Sequence, residues 1–209
     1  TNFNKIINII SAKYSKLYLR WSNIKSFKYD ETAYQLLLKN YKDLGLFMDA
    51  DNCYYQYRME LLTRPLIGIN PFENILRKIV DFFSFVFYGF GVKPLYPLAW
   101  SIIFIVLFGL FWRGVSQKDE RKFFDEYSNF TEKFQGNSWK IALLDALNAL
   151  GFSFTVFLSG TKLFVEAPTL AQINERSQTT AKVVFVLERI TGALLSILFF
   201  ISVSNVIIR

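Results

Sequence analysis

One stretch of the chain has the residue types that coordinate bare ions through oxygen. Thr155, Val156, Phe157, Leu158, Ser159, Gly160, Thr161 and Lys162 form a Ser/Gly/Thr tract closed by a lysine. Hydroxyls and main-chain carbonyls can replace an ion's hydration shell where irregular backbone lines water inside a membrane. A second set lies near the C-terminal end. Gly192, Ser196, Phe199 or Phe200, and Val203 recur at helical spacing and so share one face. There, small residues would let helices approach, a serine would wet a lumen, and a ring of phenylalanines could gate by dewetting. Ser202, Ser204 and Asn205 extend this set toward a hydrated vestibule. Lys162 would add a ring of ammonium groups at an outer mouth unless Glu166, four residues on, neutralises it. The ordinary alternatives are that Lys162 and Glu166 are headgroup-facing loop residues and that the phenylalanines pack on lipid or core.

Other chemistry has little to work with. There is no histidine, which removes the commonest metal ligand and the usual general base near neutrality. Cys53 is the single cysteine, so no intramolecular disulfide can form. Asp49, Asp51, Cys53 and Glu60 echo a calcium loop, but Tyr54 stands where that loop needs glycine and Cys53 replaces an oxygen ligand. Asn129-Phe130-Thr131 fits a glycosylation acceptor and is as readily a chance match. No catalytic set can be assembled, and the expectation is a protein that is not an enzyme and carries no cofactor or metal.

The elements that must hold the two sets follow from hydropathy. The 209 residues are 52% hydrophobic and 18% aromatic, too apolar for an ordinary soluble domain, yet 20% are charged. The apolar residues must therefore be concentrated. Between Lys93 and Arg113, and again between Arg189 and Arg209, run 19 residues without a charge. At about 1.5 Å per helical residue each run covers roughly 28 Å, close to the thickness of a hydrocarbon core. Two spans are expected, at about 94–112 and 190–208, the first bracketed by Trp100 and Trp112 as at membrane interfaces. Residues 1–93 carry 13 Lys+Arg against 8 Asp+Glu, whereas residues 113–189 carry 10 against 9. The basic excess then puts both termini on the cytoplasmic side of the plasma membrane and the intervening loop outside. Because the net charge of +7 follows topology, nucleic acid is not an expected partner.

Within the loop, residues 113–138 form a polar linker. Trp139 onward reads as a helix over about 139–155, interrupted by Lys140, Asp145 and Asn148 and judged too short and too polar to span. The tract Phe157–Phe164 reads as non-helical. Together these form a re-entrant pore helix and filter held between two spans.

Ahead of the spans, residues 1–71 form a cytoplasmic helical segment. Tyr34, Leu37, Leu38, Tyr41, Leu44 and Leu46 give one helix and Cys53, Tyr57 and Leu61 a second, joined near residues 45–51. Residues 5–21 are a further amphipathic candidate. Residues 72–92 predict an interfacial amphipathic helix with Ile75, Ile79, Phe82, Phe83 and Val86 on its apolar face, the alternative being a core helix of the soluble segment.

The ordered pattern of GVKPLYPLAWSIIFIVLFGLFW, ALLDALNALGFSFTVF and LERITGALLSILFFISVSNVIIR resembles the two-span pore-loop channels of the potassium-channel superfamily. LGLFMDADNCYYQYRMELLTR resembles the segment linking pentapeptide repeats to such a pore in some prokaryotic proteins. The resemblance implies an all-α membrane protein whose residues 93–209 form a two-span pore domain, assembled as a homotetramer, with a pentamer also open. Its partners would be its own copies, the lipid bilayer and permeant inorganic ions. The family's potassium-selective members carry a glycine-rich TVGYG or TVGFG filter, of which only Thr155 and Val156 remain here, so the filter is degenerate. The expected function is the pore-forming subunit of a weakly selective cation channel. The alternatives are a mechanosensitive-type or anion-permeable two-span channel, or a non-conducting two-span anchor or sensor.

Overall fold

The computed structural model describes residues 16–24, 29–64, 70–118, 138–162, 165–168 and 175–207. Among these the regular structure is helical. Three helices are long and apolar enough to cross a membrane, so the chain reads as an all-helical membrane protein. It divides into two compact units, residues 1–94 with 202–209, and residues 95–201.

In the first unit, α1 (Glu31–Asp43) and α2 (Phe47–Thr63) form a hairpin. The Asp30 side chain starts α1 by accepting from the Ala33 amide at 2.8 Å. The turn is Leu44 to Leu46, shorter than the expected joint at 45–51. It closes because Gly45 takes φ +70°, a left-handed conformation that costs glycine little. Tyr34, Leu37, Tyr41, Ala50 and Cys53 form the buried core, with Leu17, Trp21 and Tyr29 packed against it. The periodicity read from Tyr34, Leu37 and Tyr41 thus marks the inward face.

Of the helix expected over residues 5–21, residues 5–15 lie outside the described residues. The described part is not α-helical: residues 16–20 run irregularly and a short 3-10 turn follows at Trp21–Asn23. The cause is side-chain competition for the backbone. Asn40 accepts from the Leu17 amide and donates to the Leu17 carbonyl, both at 2.8 Å, as a strand partner would. Asp49, itself buried, accepts from the Trp21 amide at 3.1 Å and pairs with Arg20 at 2.9 Å. Backbone groups satisfied this way gain little from a helical ladder.

Helix α3 (Pro71–Tyr88) begins with proline at its first turn behind an Asn70 cap. It ends at Tyr88 rather than 92, because Gly89, Phe90 and Gly91 all take positive φ, at 54°, 55° and 81°. None of its residues is buried. Phe72, Ile75, Leu76, Ile79, Val80, Phe82 and Phe83 are exposed, while Asp81 pairs with Arg58 of α2.

The second unit contains α4 (Leu95–Lys118), α5 (Ser138–Ser159) and α6 (Glu175–Ile207), the last continuing into the first unit from Ser202. Their apolar stretches are Leu95–Val115, Ala142–Ser159 and Thr179–Val206. The last begins well before the expected 190, because the helix carries Glu188 and Arg189 within it. Helix α5 runs past the expected end at 155. Its apolar stretch also meets the length and composition of a span, contrary to the expectation that it is too short and too polar. Lys140 falls before that stretch, leaving Asp145 as its one charge.

The order of contacts gives the direction of each helix. Ile105 of α4 meets Ser153 of α5, and Gly109 meets Leu150, so these two run in opposite senses. Ser153 meets Glu188 of α6, Phe157 meets Gly192, and Gly160 meets Arg189 and Ala193. The partners advance together, so α5 and α6 run in the same sense. Gly160 stands beside the middle of the Thr179–Val206 stretch. The start of α6 at Glu175 therefore lies roughly 24 Å back along the helix from the level of Gly160, at about 1.5 Å per residue.

Cys53 provides a direct test of the first unit. It is fully buried, and burial pushes its thiol up to about 12. An exposed thiol titrates near 8.5 and reacts as the thiolate. Maleimide should therefore label the native chain roughly a thousandfold more slowly near neutrality than the denatured chain, as followed by mass spectrometry. Equal rates would place Cys53 outside a packed core.

Candidate functional site

The site is built where α4, α5 and α6 meet. Trp112, Ala149, Val156, Ala181 and Phe185 form its buried apolar cluster, flanked by Phe108, Phe111 and Phe152. Set into that cluster is a polar node. Glu188 is fully buried; its Oε2 accepts from Trp112 Nε1 at 2.7 Å, and its Oε1 lies 2.5 Å from Ser153 Oγ. Ser153 Oγ also lies 2.9 Å from the Ile105 carbonyl oxygen. One carboxyl thus ties three helices, and a polar group at this depth is stable only when partnered. Trp112 is fully buried, with its ring edge-on to Phe152 at 5.1 Å.

Below the node the helices touch through backbone. A Cβ added at Gly192 would meet the Phe157 carbonyl oxygen at 2.0 Å, and one at Gly160 would meet the Arg189 carbonyl oxygen at 2.1 Å. Both distances lie far inside van der Waals contact, so only glycine fits at either position. Gly109 plays a milder part against Leu150, whose side chain a Cβ would meet at 2.8 Å.

These contacts revise the expected filter. Thr155, Val156, Phe157, Leu158 and Ser159 are helical rather than irregular; Gly160 and Thr161 form a turn, and Lys162 follows at φ 54°. Val156, Phe157 and Ser159 are buried, whereas Thr155, Leu158, Gly160 and Thr161 are half-buried and Lys162 exposed. The tract's polar groups are turned on its own backbone. Thr155 donates to the Gly151 carbonyl at 2.9 Å, Ser159 to Val156 at 2.6 Å, and Thr161 to Leu158 at 3.2 Å. The Gly160 and Lys162 amides donate to the Phe157 and Ser159 carbonyls at 3.3 and 3.2 Å. Each of the last four helical carbonyls therefore has a partner, which is why a serine and threonine tract continues as helix instead of breaking.

The residues of the expected gate face are spread over the packing side of α6 and its edge. Gly192 points at Phe157, and its helical companions Ala181, Phe185 and Glu188 are buried in the same packing face. Ser196, Phe199 and Val203 follow on that side and are half-buried. The opposite face of α6 is the exposed one, with Val183, Leu187, Ile190, Leu194, Ile197 and Ile201. Phe200 and Ser204 are exposed at its edge, and Ser202 is buried.

Two other places offer less. An open cleft of about 440 Å³ beside α2 and α3 is lined by Arg58, Glu73, Arg77 and Asp81, but these pair as Arg58–Asp81 and Arg77–Glu73. No group of three potential metal ligands occurs among the described residues.

Sequence reasoning missed Glu188 and Trp112. The available signal was Glu188 four residues before Gly192, which puts a carboxyl on the small-residue face. The backbone contacts make a sharp contrast. Gly192→Ala should destabilise by roughly 3 kcal/mol or more, since the opposing atom is backbone and cannot rotate away. Gly151→Ala meets nothing within 4 Å and should be neutral or stabilising by about 0.5–1 kcal/mol. Thermal unfolding in detergent checks the pair, and equal effects would refute the α5–α6 crossing. Comparison with family models, with curated proteins and with solved structures gives no match.

Proposed function

We propose that the chain is the pore-forming subunit of a homo-oligomeric, weakly selective cation channel, with α4 and α6 crossing the membrane and α5 re-entering it from the outer side. The observation that carries this reading is the shared sense of α5 and α6, with α5 stopping beside the middle of the apolar stretch of α6. Consecutive spans joined by a loop on one side run in opposite senses. Two consecutive helices with the same sense need the chain to return between them, and a helix that enters partway and turns back does that. Its C-terminal end then brings a negative dipole end toward the membrane centre, which favours cations.

One copy has too few helices to enclose water, so several must surround an axis. The aliphatic outer face of α6 and the exposed face of α4 would be covered by neighbours or lipid. With Gly192 committed to packing, Phe200 and Ser204 are the α6 residues left to face a lumen. Weak selectivity follows from the helical tract. Carbonyls held in a ladder cannot form stacked rings that strip an ion, whereas threonine hydroxyls that donate backward still present lone pairs to a hydrated cation.

A second reading has its own support, because α5 is long and apolar enough to cross. It would then be a third span, and the protein a three-span anchor or sensor without a pore. Reconstituted full chain should conduct in planar bilayers, with reversal potentials near zero for potassium against sodium and displaced in salt gradients toward the cation potential. Native mass spectrometry should give a ring, with four copies favoured. Phe200→Ala should raise the current. A silent bilayer with a monomeric protein would sink the channel reading.

A further inference from the structure

We infer that Glu188 is a resident proton-binding site, carrying a hydrogen that joins α6 to Ser153 of α5 and leaves the serine hydrogen to latch α5 to α4, while Trp112 of α4 holds the same carboxyl. The inference rests on counting hydrogens and does not depend on the channel reading. The node contains three polar contacts: Trp112 Nε1 to Glu188 Oε2, Glu188 Oε1 to Ser153 Oγ, and Ser153 Oγ to the Ile105 carbonyl oxygen. Three hydrogen bonds need three hydrogens. Trp112 supplies one, and it can only donate. Ser153 has a single hydroxyl hydrogen, and it lies within reach of two acceptors at once. If Ser153 donates to the carboxyl, its contact with the Ile105 oxygen sets lone pair against lone pair. If it donates to Ile105, its contact with Glu188 has no hydrogen unless the carboxyl brings one. The arrangement is complete in one state alone, with Glu188 Oε1–H donating to Ser153, Ser153 donating to Ile105, and Trp112 donating to Oε2.

The charged groups nearby do not supply an alternative. Helix α4 contributes Arg113, whose Nε has no hydrogen-bond partner, and α5 contributes Asp145, two turns before Ser153. Helix α6 contributes Lys182, which is exposed, and Arg189, whose guanidinium lies over the Phe185 ring at 5.8 Å. Among the described residues Glu188 enters no ion pair. It therefore places no fixed negative charge beside the end of α5. Losing the proton would leave two acceptors competing for one serine hydrogen and would loosen the α4–α5 contact between Ile105 and Ser153, four positions along α5 from Phe157, where Gly192 holds α5 to α6.

Infrared spectroscopy of the full chain in lipid, isotope-labelled at the glutamate side-chain carboxyl, tests this directly. At neutral pH a label-sensitive carbonyl stretch of a protonated carboxylic acid should be present in the native chain. It should vanish in Glu188→Gln, whose amide hydrogen can replace the carboxyl hydrogen toward Ser153. It should move to higher wavenumber in Trp112→Phe, because Oε2 then loses its donor. Should Glu188→Gln not fold, the native chain and Trp112→Phe still decide the matter. Label-sensitive bands of carboxylate alone would overturn the inference, as would an acid band that survives Glu188→Gln or ignores Trp112→Phe.

Discussion

Backbone contact between α5 and α6 constrains everything else in the second unit. Two helices approach this closely only when glycine stands at the crossing, and Gly192 and Gly160 supply it from each side. The contact fixes where α5 ends relative to α6. It also dictates that the faces carrying Phe157 and Gly192 point into the bundle, leaving the aliphatic row of α6 outward. In a bilayer, apolar side chains gain nothing by leaving lipid for one another, so small-residue packing and buried hydrogen bonds must supply the association. The crossing provides the first and the Glu188 node the second.

The node and the crossing divide the work. The crossing sets proximity, and the node sets rotation and register, since a carboxyl that must meet Trp112 and Ser153 together tolerates few arrangements of three helices. Polar networks of this kind stabilise when every member is satisfied and cost heavily when one is not. The first unit follows the same logic with different means. There Asn40 and Asp49 engage the backbone of residues 17 to 21, and the aromatic core of Tyr34 and Tyr41 holds the hairpin.

Much of the architecture was legible in the sequence. The charge-free runs located α4 and the second half of α6, and the periodicity of Tyr34, Leu37 and Tyr41 located the inward face of α1. The helix after Trp139 was legible from its apolar content, but not its end. Ser159 and Thr161 read as breakers by composition, whereas their hydroxyls bond back to the last-turn carbonyls and prolong the helix to Ser159. Composition carries no information on which way a hydroxyl turns. Glu188 and Trp112 were hidden for a related reason. A charge or a tryptophan at the edge of an apolar run reads as an interface marker, and only the packing of α4 against α6 turns both inward. The Gly192 face was identified as a special face, but a face that lets helices approach and a face that lines water have the same spacing.

The central claim is that α5 enters the membrane and does not cross it. Reporters of membrane side placed at the two ends of the chain test it most directly, because one re-entrant helix between two spans puts both ends on the same side. The account predicts that both reporters respond from the cytoplasmic side. Reporters on opposite sides would mean that α5 crosses as a third span, and would contradict it.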